Sequence, residues 1–145
     1  MFHGIAAGSK ASGTGARALE RPLSPHLQVW RWHVTMFTSI MHRAAGAGLY
    51  AGALILMAWA LSLASGADAY AVFTGLAGSI VGKVVFFLLT LGAFFHLCNG
   101  LRHLVWDAGY GFKPQTASST AWLVIGAAVV ATILFWSGLA MTGVL

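Results

Sequence analysis

The sequence predicts an all-α membrane protein with three transmembrane helices, and three observations carry that expectation. Of 145 residues, 59% are hydrophobic and only 8% charged, against roughly 25% charged in an ordinary soluble domain. Mean hydropathy is +0.81. The formal charges are also unevenly spread: 24 residues between Arg43 and Asp68 carry none, nor do 18 between Lys83 and Arg102, nor anything from Pro114 onward. About 20 apolar residues cross a bilayer core as a helix, so each run is long enough for one span. What remains is too short for a soluble catalytic domain.

Residues 1–20 ("MFHGIAAGSKASGTGARALE") read as a flexible N-terminal tail and lack the apolar core of a secretory signal. Their basic, Ser-containing, acid-poor composition also fits a mitochondrial-type presequence. Residues 21–145 form the three-helix membrane domain. In "RPLSPHLQVWRWH" (21–33) the prolines break a regular helix. Trp30 and Trp32 beside Arg31 suit the headgroup layer. The first span is expected over about 35–65, followed by "SGADAY" as a polar turn and "AVFTGLAGSIVG" as the start of a short interfacial helix. The second span is expected over about 79–106. "DAGYGFKPQTASS" reads as a loop from its Gly, Pro and Ser punctuation, and the third span covers about 120–141.

The net charge of +5 is a topology signal. The basic residues flank spans and form no dense patch interleaved with aromatics, so no nucleic-acid partner is expected. Arg17, Arg21, Arg31 and Arg43 precede or open the first span, and Arg102 and Lys113 flank the second loop. The first loop has no Lys or Arg before Lys83, and the C-terminus has neither. The N-terminus and second loop therefore face the cytoplasm, or the matrix in a mitochondrion. Cys98, the one cysteine, reads as a small packing residue.

This topology brings two polar clusters to the same side of the membrane: Ser39, His42 and Arg43 on the first span, and His96, Asn99, Arg102, His103 and Asp107 on the second. His96 and His103 are seven residues apart, about 10 Å along the helix. That is too far to share one metal ion, whose bonds to nitrogen are about 2 Å, and too close for two stacked haems. Lys83 marks the outer boundary, and His96 lies thirteen residues beyond it, roughly 20 Å into the span. Two readings of His96 stand: an axial haem ligand, with Gly92 and Gly100 giving room for a macrocycle, or a histidine hydrogen-bonded to a neighbouring helix. Ser39, His42 and Arg43 share one helix face. Arg43 can snorkel to the headgroups or hold an anion, and the Ser39 hydroxyl can donate to a quinone carbonyl. Asp107 suits an ion-paired helix cap near Arg102 and His103. No acid lies at mid-membrane, which disfavours an ion pump.

"RPLSPHL" followed by "SIMHR" and then "HLCNGLRHLVWDAG" resembles the cytochrome b membrane anchors of succinate dehydrogenase, respiratory complex II. The resemblance covers Arg21 through Gly109. The second motif is matched in full by His96, Gly100, Arg102, His103, Trp106 and Asp107. The first departs at Ala45, where the family usually has a hydroxyl residue. The resemblance implies that His96 is an axial ligand of haem b, with the second ligand from a companion anchor subunit. Ser39 and Arg43 would line a ubiquinone site, and His42, Arg43, Arg102 and His103 the haem propionate region. It also implies an iron–sulfur subunit and a flavoprotein subunit that oxidises succinate, in a bacterial inner membrane or a mitochondrial one. The alternatives are a structural scaffold without cofactor, a fumarate reductase anchor, and a dihaem cytochrome. The dihaem form would need further membrane histidines that the first and third spans lack.

Overall fold

The computed structural model describes residues 31–143. The expected tail, the "RPLSPHL" motif and Trp30 lie outside the described residues. The unit Trp32–Leu145 carries four helices: α1 (Val34–Ser65), α2 (Ala67–Gly78), α3 (Ile80–Asp107) and α4 (Pro114–Met141). Three of them, α1, α3 and α4, are long and apolar enough to cross a membrane.

Two boundaries differ from the expectation. The turn anticipated over "SGADAY" is Gly66 alone, with φ of 109°, a backbone conformation open chiefly to glycine. Asp68 instead lies in the first turn of α2, where a carboxylate is favoured by the helix dipole. The third span's helix, α4, starts at Pro114, six residues early, because proline occupies its first turn and loses no bond there. Hydropathy marks where the apolar run starts, which is one and a half turns inside the helix.

The α2–α3 elbow is stitched by Ser79. Its hydroxyl donates to the Leu76 carbonyl at 2.6 Å and accepts from the Gly82 amide at 3.1 Å. A Cβ at Gly82 would fall on the carbonyl oxygens of Leu76 and Ala77, so the close approach of the two helices depends on that glycine. Elsewhere in the helices, hydroxyls bond back to their own backbone: Ser62 to Trp59, Ser65 to Leu61 and Thr90 to Phe86. In hydrocarbon no water would satisfy them.

The interior is thin and made of small residues. Ala121, Val124, Ala128 and Thr132 are buried along one stripe of α4, spaced so that they face α3 and α1. Leu, Ile, Val and Phe side chains such as Leu56, Leu88, Leu104 and Leu134 stand exposed on the outside. That inversion suits lipid as the solvent, where close packing of small residues and polar contacts hold helices together. The pairs Thr38–Arg102, His42–His96 and Gly52–Leu89 run in opposite senses along α1 and α3. The two helices are therefore antiparallel, and the start of α1 lies beside the end of α3 and the start of α4.

Candidate functional site

Polar side chains gather at that end of the bundle. The His96 ring lies against α1, where Gly46 leaves a notch: a Cβ there would sit 3.1 Å from His96 Cε1. His96 Nδ1 is 3.2 Å from the backbone carbonyl of His42. With the proton on Nδ1 this is an N–H···O=C bond, and the lone pair is left on Nε2. The His96 and His42 rings stack, with centroids 4.0 Å apart and planes at 22°. His103 meets His42 edge-on at 5.1 Å and stacks on Trp106 at 5.2 Å. Three imidazoles thus form one cluster, and two of its nitrogens, His42 Nε2 and His103 Nδ1, are buried with no hydrogen-bond partner among the described residues. Such atoms carry a desolvation cost unless a further polar group meets them.

The chemistry of this donor set fits a group that brings most of its own ligands. Among the described residues no three His, Cys, Asp or Glu side chains are placed to hold a bare metal ion. A single imidazole with its Nδ1 fixed to a carbonyl and its Nε2 free is the arrangement a metal-ligating histidine usually has. A macrocyclic cofactor would supply the remaining ligands, and carboxylates on it would suit the unpartnered nitrogens.

Ser39 and Arg43 lie one turn apart, as the spacing predicts. Arg43 Nη2 donates to Ser39 Oγ at 3.4 Å, and Arg43 is exposed. Because the serine oxygen accepts from the guanidinium, its own proton is left to give away.

Arg102 turns into the bundle and is 6% exposed. Its Nε donates to Thr120 Oγ1 at 3.1 Å, and its Nη1 to Thr38 Oγ1 and Asn99 Oδ1, each at 3.2 Å. Nη2 donates to the Ala117 carbonyl at 2.9 Å, and the guanidinium carbon lies 4.1 Å from the Trp106 ring centroid. The ion-paired cap expected between Arg102 and Asp107 does not form, because all three guanidinium nitrogens turn into the bundle. Asp107 is exposed at the helix end.

The sequence profile of the succinate dehydrogenase/fumarate reductase transmembrane subunit matches residues 17–135. The chain belongs to this family. Its relatives include a protein named succinate dehydrogenase cytochrome b556 subunit from Rickettsia felis, 36% identical over 117 residues, 81% of this chain and 91% of the relative. The Paracoccus denitrificans protein of the same name is 36% identical over 114 residues, 79% and 88% of the two chains. A mitochondrial succinate dehydrogenase cytochrome b560 subunit from Mus musculus is 36% identical over 123 residues, 83% and 70%.

Within this family member, several residues at the site escape sequence reasoning. Gly46, rather than Gly92 or Gly100, is the glycine against His96. Gly92 faces Ala45 across the α1–α3 seam, and nothing lies within 4 Å of a Cβ built at Gly100. Thr38 and Thr120 look like ordinary span residues in the sequence. The available signal is their polarity at the same depth as Arg102, whose guanidinium needs acceptors beyond the one its own helix supplies at Asn99.

Proposed function

We propose that this chain is the cytochrome b anchor of a succinate:quinone oxidoreductase, in which His96 is one axial ligand of haem b. The observation that carries this reading is the His96 ring itself: Nδ1 is tied to the His42 carbonyl at 3.2 Å, so Nε2 is the nitrogen available to iron. A second anchor subunit supplies the other ligand. When bound, a haem would supply one-electron redox chemistry at this end of the bundle. His42, His103 and Arg43 are the residues that would hold its propionates. Arg102, which the resemblance grouped with them, has its donors engaged inside the bundle and supports that region from behind.

Ser39 and Arg43 line the quinone-reduction site. The serine hydroxyl, accepting from Arg43, donates to a quinone carbonyl, and the arginine steadies negative charge as that carbonyl is reduced. The charge pattern puts this end of the bundle on the cytoplasmic or matrix side. There an iron–sulfur subunit docks and relays electrons from a flavoprotein subunit that oxidises succinate. The membrane is the bacterial inner membrane or its mitochondrial counterpart. The relatives' names, all of succinate dehydrogenase, favour the succinate-oxidising direction over that of a fumarate reductase. A scaffold without cofactor accounts for the His96 bond to α1 but leaves the buried His42 Nε2 and His103 Nδ1 without partners.

A reduced-minus-oxidised spectrum of the purified complex, with its subunits identified, tests the proposal. A b-type haem band in a four-subunit complex is the expected result. A four-subunit complex with no reduced haem band would leave only the scaffold reading.

A further inference from the structure

We propose that Arg102 is a positioning residue for quinone reduction. Through its bond to Thr38 it fixes the rotation of α1 about its own axis, and with it the direction in which Ser39 and Arg43 are presented. The inference rests on the reading that quinone binds at Ser39 and Arg43.

The physical basis starts with a buried cation. Arg102 has no carboxylate partner among the described residues. Its charge is met by neutral acceptors on three helices, Thr38 on α1, Asn99 on α3, and Thr120 and Ala117 on α4, and by the face of Trp106. A buried ionised donor that loses an acceptor is penalised more than a neutral one. The guanidinium is also planar, so its bonds leave in fixed directions. Helices in lipid are not driven together by the hydrophobic effect, and polar contacts of this kind carry much of the orientation.

Thr38 is the link to the site. It is 0% exposed, and its hydroxyl donates to the Thr35 carbonyl at 3.1 Å while accepting from Arg102 at 3.2 Å. Successive residues on a helix differ by about 100°. Holding Thr38 against Arg102 therefore keeps His42, one turn on, against His96. It turns Ser39 to the adjacent face, where Arg43 reaches back to it. If α1 lost this contact and rotated, the serine and arginine would swing away together, with no change to either residue.

The test uses the intact complex and the variants Thr38→Val, Thr38→Ser and Ser39→Ala. For each, KM and kcat for a short-chain ubiquinone are measured beside succinate oxidation by an artificial acceptor and the reduced haem band. Thr38→Val is expected to raise the quinone KM roughly tenfold, within the hundredfold that a 1 Å misplacement can cost. Its kcat should change less and its artificial-acceptor rate should stay as in the wild type, while the reduced haem band should shift or weaken, because His42 turns with Thr38 against His96. Thr38→Ser, which keeps the hydroxyl, should restore the KM. A raised KM in Ser39→Ala with an unchanged one in Thr38→Val overturns the positioning role alone. An unchanged KM in Ser39→Ala removes the quinone reading and this inference with it. If Thr38→Val does not assemble, Arg102→Lys keeps the charge but not the fork and carries the same expectation; a wild-type KM there overturns the role.

Discussion

The His96 imidazole lies face to face with that of His42, centroids 4.0 Å apart, while the backbone of the same His42 receives the His96 Nδ1 at 3.2 Å. One residue of α1 thus sets both the plane of the His96 ring and the nitrogen left free. The arrangement is possible because α1 has no side chain at Gly46, so the ring can come within reach of a helical carbonyl.

Gly46 should therefore control haem content. An added methyl would lie 3.1 Å from His96 Cε1, which a slight shift of the ring accommodates; a branched side chain needs more room. Overpacking of that kind costs about 1–3 kcal/mol. Gly46→Ala is expected to retain most of its haem, and Gly46→Val to lose a substantial part. Haem per flavin in the purified complex checks this.

Ser39 and Arg43 should affect one half-reaction only. Ser39→Ala removes a hydrogen bond worth about 1 kcal/mol, and Arg43→Leu a charged one worth about 1.5–3 kcal/mol. Quinone reduction is expected to fall about fivefold in the first and more steeply in the second. Succinate oxidation by an artificial acceptor should be spared in both. Equal loss of the two activities would point to defective assembly.

At the other end of α3, Gly82→Ala should weaken the fold without touching the site. Its Cβ would collide with the Leu76 and Ala77 carbonyls, forcing the elbow open at a cost of about 1–3 kcal/mol. A lower thermal midpoint with an unaltered haem band is expected. Gly82 and His96 are fourteen positions apart, about 21 Å along the helix.

Thr132 makes a useful contrast with Thr38. Both are buried, but the Thr132 hydroxyl donates only to the Ala128 carbonyl in its own helix, at 2.7 Å. Replacing it by the isosteric Val leaves no other group unpaired, so Thr132→Val should change stability by less than about 1 kcal/mol. Thermal unfolding of the complex measures it, with no change expected in quinone kinetics.

Much of this is legible in the sequence because charge-free runs and their flanks directly reflect the demands of a bilayer. The three long helices, their antiparallel order and the meeting of the two polar clusters follow from that. The inward turn of Arg102 is not legible for a physical reason: depth along a helix can be counted from residue number, whereas the face a side chain takes depends on what other helices offer it. Its position near the end of α3 suggests headgroups, but Thr38 and Thr120 make an inward-facing site. The helix start at Pro114 is missed because hydropathy reports where lipid begins, and α4 begins before that. Gly46 is missed because a notch acquires meaning only from the ring that fills it.

Replacing His96 by Leu and measuring the haem content and reduced spectrum of the assembled complex tests the central claim most directly. The expected result is a complex that retains its subunits and its artificial-acceptor succinate oxidation but loses the wild-type haem b band, with little or no haem per flavin. A His96→Leu complex with unchanged haem content and spectrum would contradict the claim that this imidazole binds the iron.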